Sequence, residues 1–242
     1  MKRFFTVVHC VNEAMARKAV DVAFIAGADG VFLINQGGMA WLDVLRLAHE
    51  LGREDGPLSW MNDDERRIGV NILGASGQQL QRFMRDRSEI SMCWADNATA
   101  FEGVELPGVE LFGGVAFKYQ DPVPAKMWAP RLMYAKILGV QVATTSGLGT
   151  GMPADVTKVR RMVEIVRELN TLGYLLAWEG PTQRLALASG VSLQNVADYL
   201  PHVDDFIVGS SIESSLGVLE PAKVQELGRR IREYESNQGR TG

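Results

Sequence analysis

The sequence has few cysteines and no long apolar run, and each shortage argues against a class of protein. Two cysteines, Cys10 and Cys93, occur among 242 residues, which is too few for the disulfide framework of a small secreted domain. We therefore expect a reducing, cytoplasmic location. No stretch approaches the roughly 20 apolar residues of a membrane span. The run MKRFFTVVHC is short and is interrupted by His9, so we expect no signal peptide.

The sequence also has no surplus of positive charge. The net charge is −4, whereas nucleic-acid binding usually needs a basic face, so we expect no nucleic-acid partner. No G-x-G-x-x-G motif follows the first predicted strand, and a dinucleotide-binding fold therefore has no support there.

Apolar strands and amphipathic helices alternate along the chain. The composition, 46% apolar and 22% charged, is typical of a globular protein with a sizeable core. Six predicted strands cover Phe4–Cys10, Gly30–Asn35, Ile68–Leu73, Glu89–Ala95, Val109–Lys118 and Val140–Thr145, and two more lie within Leu185–Ile212. Eight βα units of this length predict a single (β/α)₈ TIM barrel over residues 1–242, with a disordered tail from about residue 236.

The stretch Leu185–Ile212 contains two turns of small residues, Ser189-Gly190 and Gly209-Ser210-Ser211. In this fold the loops after strands 7 and 8 often bind phosphate, because backbone N–H groups can approach the anion where side chains are small. A hydroxyl- and glycine-rich loop follows the sixth strand, and it is either a third wall of the site or a flexible turn. We predict Gly147, Ser189, Gly190, Gly209, Ser210 and Ser211 as phosphate-binding residues.

Five segments resemble the BtpA/SgcQ family. They are VVHC around His9, GVNIL at Gly69–Leu73, TTSGLGTG at Thr144–Gly151, LASGVSLQNV at Leu187–Val196 and FIVGSSI at Phe206–Ile212. The resemblance covers most of the chain and is strongest from the sixth strand onward. It implies a phosphate-binding (β/α)₈ barrel more firmly than any reaction. One branch of the family is associated with photosystem I assembly and another with a sugar-related operon.

The chain departs from that family at two places. Val11 and Asn12 lead straight into a helix where the family has a Pro-rich loop. Ile34 precedes Asn35 where the family has a Glu-Asn pair. The acid that would end the second strand is therefore missing.

Catalytic groups in this fold lie at the carboxyl ends of the strands, which selects His9, Lys118 and Asp96. His9 can serve as a general acid or base near neutral pH, or it can be held by a hydrogen bond at the rim. Lys118 can contact an anionic substrate or form a Schiff base, or it can extend from the rim into water. Asp96 is the best remaining carboxylate for acid–base work.

Amide and hydroxyl side chains at strand ends can orient a ligand, or they can cap turns. On this basis we predict Asn35, Asn71, Thr145 and Ser146 as substrate-binding residues. We predict no metal and no cofactor, because Glu102 and Glu105 beside Asp96 are more typical of solvated loop acids than of a Mg²⁺ site. Cys10 is adjacent to His9 in the strand, so its side chain points to the opposite face and is assigned to packing.

Two functions remain open. The first is an enzyme that acts on a small phosphorylated metabolite by isomerase, lyase or glycosidic-bond chemistry. The second is a non-catalytic barrel that takes part in assembly or senses a phosphorylated ligand, which the missing acid favours. A homo-oligomer is possible, with an interface formed by Trp60, Met61, Met127, Trp128 and Trp178, or these side chains pack within the monomer.

Overall fold

Eight parallel strands form a closed barrel in the computed structural model of the chain, which describes residues 1–62, 67–85, 87–176 and 181–238. Each strand pairs with its sequence neighbour, and the first pairs with the eighth to close the barrel. The strands are β1 (Arg3–His9), β2 (Gly30–Ile34), β3 (Ile68–Asn71), β4 (Met92–Ala95), β5 (Glu110–Gly114), β6 (Val142–Thr145), β7 (Arg184–Ala188) and β8 (Asp205–Val208). This topology confirms the predicted (β/α)₈ TIM barrel.

Helices connect most of the strands and cover the outside of the barrel. They are α1 (Glu13–Ile25), α2 (Trp41–Gly52), α3 (Gly77–Met84), α4 (Trp128–Ile137), α5 (Val156–Leu175), α6 (Val196–Tyr199) and α7 (Pro221–Gln238). Two of the helix starts are marked by side-chain caps: Asn12 accepts the Met15 N–H, and Ser76 forms a capping box with Gln79. Such caps satisfy N–H groups that have no partner inside the helix.

A short hairpin follows the eighth strand. It consists of β9 (Glu213–Ser215) and β10 (Val218–Leu219), which pair antiparallel. The crossover after β4 has only the 3₁₀ turn Ala98–Phe101.

Side chains alternate between the inside of the barrel and the layer between strands and helices, as the period-2 geometry of strands requires. Aromatic side chains fill the inside: Phe5, Phe32, Phe112 and Trp94 contact one another edge to face at 4.9–5.7 Å between ring centroids. The other face of each strand packs against the helices in a larger apolar cluster. The barrel is therefore a packed core and not a pore.

Ion pairs close the amino-terminal end of the barrel. The fully buried carboxylate of Asp205 accepts paired hydrogen bonds from Arg3 at 2.6–2.7 Å and from Arg184 at 2.8–3.0 Å. Glu110 accepts from Arg3 at 3.0 Å and pairs with Arg67. Asp205, at the start of β8, therefore belongs to the structural end of the barrel.

The predicted boundaries differ from the structure by one or two residues at several strands and by more at the fourth and fifth strands. The fifth strand ends at Gly114 and not at Lys118, because the backbone turns at Ala116, where φ is +49°. The fourth strand begins at Met92 and not at Glu89. Helix α7 continues to Gln238, beyond the predicted end of order at residue 236, and residues 239–242 lie outside the described part of the chain.

No helix in the described part of the chain is long and apolar enough to cross a membrane. Both cysteines are buried, and neither forms a disulfide. Burial raises the pKa of Cys10 and of Cys93 to about 12, so each thiol stays protonated and acts as a packing group.

Candidate active site

A cavity of about 310 Å³ opens at the carboxyl ends of the barrel strands. We call it the main cavity. Its floor is made by apolar side chains from inside the barrel, and its walls by the loops after β5 to β8. The residues that line it include His9, Ile34, Trp94, Lys118, Thr150, Gly151, Ser189, Gly190, Ser192, Asn195, Gly209, Ser210 and Ser211. Catalytic sites of this fold lie at the same end of the barrel.

The turn after β7 is fixed in a left-handed backbone conformation. Ser189 and Gly190 have φ values of +82° and +74°. A Cβ atom on Gly190 would lie 2.0 Å from the Met152 carbonyl oxygen, so only glycine fits between the loops after β6 and β7. Asn195 holds the turn from the other side, because its Nδ2 donates to the Gly190 carbonyl at 2.8 Å and its Oδ1 accepts the Ser192 N–H at 2.8 Å.

The turn after β8 contacts the turn after β7. Gly209 precedes the 3₁₀ turn Ser210–Ile212, and no side chain caps this turn. The first N–H groups of such a turn have no partner within it, and Gly209, Ser210 and Ser211 all line the main cavity. The Ser211 hydroxyl donates to the Val191 carbonyl at 2.5 Å. The two predicted turns therefore form one wall of small residues.

His9 lies at the end of β1 and lines the main cavity. Its Nδ1 is 2.8 Å from Oε1 of Glu213, and both side chains are nearly buried. The structure thus supplies a carboxylate that is absent at the end of the second strand. Glu213 was not among the predicted site residues, because it lies beyond the last barrel strand and 204 residues from His9 in sequence.

Lys118 lies four residues beyond the end of β5, in the loop, and not at the strand end as predicted. Its backbone N–H donates to the Ser146 hydroxyl at 2.7 Å, and its Nζ donates to the Thr150 hydroxyl at 3.3 Å. The Tyr119 hydroxyl is 2.7 Å from the same Thr150 oxygen. These contacts join the loops after β5 and β6 over the main cavity and leave Lys118 half-buried at its wall.

Asp96 and Asn71 form a pair beside the main cavity. Nδ2 of the buried Asn71 donates to Asp96 Oδ1 at 2.9 Å. Asp96 and Lys118 line a neighbouring cavity of about 400 Å³, which we call the side cavity, together with Arg131. The structure therefore places His9 and Asp96 in different cavities, with Lys118 at the wall of both.

The other predicted ligand-orienting residues make contacts within the protein. Asn35 pairs with the Leu73 backbone: its Nδ2 donates to the carbonyl, and its Oδ1 accepts the N–H. Thr145 and Ser146 are fully buried behind the main cavity, and a Cβ atom on Gly147 would lie 2.3 Å from the Met152 carbonyl oxygen. From the same loop, Thr150 and Gly151 line the cavity instead.

Lys158, in the first turn of α5, binds the backbone of the loops after β5 and β6. Its Nζ donates to the Ala116 carbonyl at 2.6 Å and to the Ser146 carbonyl at 2.9 Å. Burial lowers the pKa of Lys158 to about 8, against a smaller opposing effect of Asp155. Lys158 thus connects the loops after β5 and β6 to the helix that follows them.

The floor of the main cavity carries an unused donor. Within the described residues, the buried Nε1 of Trp94 has no hydrogen-bond partner. Buried donors are nearly always paired, so this N–H is an exception among the described residues. No group of three or more His, Cys, Asp or Glu side chains in the described residues is placed to hold a metal ion.

Solved structures with the same fold extend over almost the whole chain. A phosphoribosyl anthranilate isomerase from Thermus thermophilus is 16% identical over 96% of this chain and 98% of its own, with a TM-score of 0.59. A tryptophan synthase from Mycobacterium tuberculosis is 12% identical over 96% and 93%, with a TM-score of 0.66. A 4-hydroxy-2-oxoglutarate and deoxyphosphogluconate aldolase from TTHB1 is 13% identical over 95% and 94%, with a TM-score of 0.52.

These identities are low, so the likeness shows the TIM-barrel fold alone. No family model matches the sequence. No curated protein matches it either. The BtpA/SgcQ resemblance therefore stays a prediction.

Proposed function

We propose that the protein is an enzyme that acts on a small phosphorylated metabolite, with isomerase, lyase or glycosidic-bond chemistry. The observation that carries the proposal is that the turns after β7 and β8 line the same cavity as His9 and Lys118. The names of two structural neighbours point the same way, since phosphoribosyl anthranilate and deoxyphosphogluconate are both phosphorylated compounds.

In this proposal the phosphate group binds Ser189, Gly190 and the Gly209–Ser211 turn. Uncapped N–H groups and the Ser210 hydroxyl are suitable donors to phosphate oxygens, whereas the Ser211 hydroxyl already donates to the Val191 carbonyl. Holding the unreactive end of the substrate allows its binding energy to stabilise the transition state at the reacting end. His9 is the general acid or base, and Lys118 contacts a negative charge that is present or develops on the substrate.

Asp96 has a more distant role in this proposal. It acts on substrates long enough to reach from the main cavity into the side cavity, where Lys118 lies between the two spaces. Asn71 orients the Asp96 carboxylate through their hydrogen bond. We further propose a cytoplasmic protein, because its two cysteines are unpaired.

Trp60 and Met127 are 59% and 39% exposed. This exposure supports the proposal that they lie at a contact between copies of the chain. Trp178, which was predicted to share that contact, lies outside the described residues.

Thermal unfolding in the presence of phosphorylated compounds tests the binding site. Inorganic phosphate and a panel of sugar phosphates should raise the Tm, since a ligand stabilises by RT ln(1 + [L]/Kd), and the unphosphorylated sugars should not. Ser210→Asp places a negative charge in the proposed phosphate site and should abolish the rise. Ser215→Asp adds the same charge at an exposed position outside the cavity and should preserve it. Equal responses of the two variants would contradict the phosphate site.

A second function, ligand binding without catalysis, is favoured by one observation. The position that would carry the second-strand acid is occupied by Ile34, an apolar residue at the wall of the main cavity. A stabilising phosphate compound separates the two functions. The enzyme should turn it over, and His9→Gln and Lys118→Met should each lower kcat by roughly 10²-fold or more. Binding with no turnover would favour the sensor, and unchanged turnover in both variants would remove the catalytic assignment.

A further inference from the structure

The pair formed by His9 and Glu213 brings together two distant parts of the chain. The Nδ1–Oε1 distance is 2.8 Å, and the exposed fractions of the two side chains are 9% and 5%. A contact this short, largely removed from water, holds both groups in one arrangement, because the low surrounding dielectric strengthens the hydrogen bond.

The hairpin after β8 holds Glu213 in place. The oxygen that contacts His9, Oε1, also accepts the Gly217 N–H at 3.0 Å. Gly217 has a φ of +78°, and a Cβ atom on it would lie 2.7 Å from the His9 carbonyl oxygen. The tip of the hairpin therefore packs directly against the end of β1, and the carboxylate position is fixed by backbone contacts.

This contact assigns different roles to the two ring nitrogens of His9. A carboxylate oxygen accepts a hydrogen bond, and Oε1 already receives one from the Gly217 N–H. Nδ1 must therefore be the protonated nitrogen, and in the neutral ring Nε2 carries the free lone pair. The ring lines the main cavity, and its Cε1 lies 3.3 Å from where a Gly209 side chain would begin.

We propose that Glu213 is the positioning residue of His9: it fixes the Nδ1–H tautomer and directs Nε2 to a ligand in the main cavity. The inference rests on the proposed function for its substrate. Nε2 takes a proton from the substrate, the electron pair of the broken bond stays on the substrate, and the proton returns to substrate or product in a later step. The Glu213 carboxylate stabilises the imidazolium that exists between these steps.

The position of His9 also narrows the substrate class. Its Cε1 lies 3.3 Å from the point where a Cβ atom on Gly209 would lie, so the ring is next to the turn that forms part of the proposed phosphate site. The proton that His9 transfers therefore belongs to an atom near the phosphate group and not to the far end of the substrate. Compounds whose acidic or leaving group lies within a few bonds of the phosphate fit this arrangement.

The tautomer can be measured on the free protein. Long-range ¹H–¹⁵N correlation spectra of ¹⁵N-labelled protein, recorded at a pH at which the ring is neutral, distinguish Nδ1–H from Nε2–H imidazoles. His9→Gln identifies the His9 signals against those of His49 and His202. Wild type should show Nδ1–H. Glu213→Gln, whose carbonyl oxygen can still accept, should keep that tautomer, and Glu213→Ala should move the population toward Nε2–H.

An Nε2–H tautomer in wild type would overturn the inference, and so would an unchanged spectrum in a folded Glu213→Ala protein. If the alanine variant fails to fold, the wild-type spectrum alone still shows which tautomer His9 adopts. Inorganic phosphate titrated into wild type keeps the two proposals apart. Failure of phosphate to bind, with an Nδ1–H tautomer, removes the proposed function and leaves the pair. Phosphate binding with an Nε2–H tautomer removes the positioning role of Glu213 and leaves the proposed function.

A kinetic test follows once a substrate is found. Because Glu213 acts through His9 and not on the substrate, Glu213→Gln should lower kcat by roughly 10- to 100-fold and leave KM close to the wild-type value. Ser215→Asp, on the same hairpin, should leave both constants unchanged. An unchanged kcat in Glu213→Gln would contradict the positioning role.

Discussion

Gly190 meets two demands at once, since it must turn left-handed and must allow the Met152 carbonyl to approach. Gly151 offers a matched comparison, because it has a similar φ of +75° but no atom within 4 Å of the point where a Cβ would lie. Both positions line the main cavity, so the two glycines differ chiefly in how closely the backbone of the neighbouring loop packs against them.

Gly190→Ala should therefore be more destabilising than Gly151→Ala. Each substitution costs about 1–2 kcal/mol for a left-handed alanine, and only Gly190→Ala must also displace the Met152 carbonyl. We expect Gly190→Ala to lower the phosphate-dependent rise in Tm as well, because the turn that we propose to bind phosphate must move. Urea unfolding of the two variants measures the difference. Equal losses in the free energy of unfolding would show that the loop after β6 can move away from the added Cβ atom at little cost.

At the residue scale, the sequence identified the small-residue turns but not the carboxylate partner of His9. Glycine and serine after a predicted strand indicate a tight turn, because residue type at a turn depends on the local backbone conformation. The approach of Glu213 to His9 depends on barrel closure and on the hairpin that presents the carboxylate. Neither of these leaves a periodic signal in the sequence.

At the scale of elements, the positions of the strands and helices followed from apolar periodicity, and their ends did not always do so. Val115 and Phe117 are buried beneath the loops, so the apolar run continues after the strand has ended at Gly114. Lys118 was therefore assigned to a strand end, although it belongs to the loop. Helix starts are marked more sharply where a side chain caps them, because Asn12 and Ser76 each accept a hydrogen bond from the first turn of the helix that follows.

The first turn of α5 should give the protein a pH-dependent stability. The pKa of Lys158 is about 8 in the folded protein and 10.5 when unperturbed. Between these values the unfolded chain binds more protons than the folded one, so stability should rise as the pH increases from about 8 to 10.5. Lys158→Met should remove this rise.

Urea unfolding at several pH values measures this effect as the difference between wild type and Lys158→Met, in which the titration of other groups cancels. Lys18→Met, at an exposed position of α1, is the control and should follow the wild-type profile. A Lys158→Met profile parallel to that of wild type would show that Lys158 does not carry the dependence.

At the scale of the whole molecule, the two ends of the barrel differ in structure. The amino-terminal end is closed by the ion pairs of Asp205 and Glu110 with Arg3, Arg67 and Arg184, and the carboxyl end carries the main cavity. The aromatic cluster separates them. Substitutions at the ion-paired end should therefore change stability and leave the main cavity intact.

Asp205→Asn should destabilise the protein by about 3–5 kcal/mol, because it leaves two arginines beside a buried group that no longer carries charge. Asp55→Asn is the control: it removes an exposed pair with Arg53, and such pairs contribute little. Urea midpoints measure both variants. A ligand that binds wild type should bind folded Asp205→Asn with the same Kd. A change in Kd would show that the two ends of the barrel are coupled.

The pairing of β1 with β8 also has a consequence for the order of folding. Arg3 meets Asp205, and His9 meets Glu213, across about two hundred residues of chain. Contacts of such high sequence separation form late, because a long loop must close first. During synthesis, the edge of β1 that pairs with β8 stays unpaired until β8 is made near the end of translation. The proposed ligand site is therefore complete only when the last βα unit docks, and until then the open edge of β1 is exposed to chaperones and to other nascent chains.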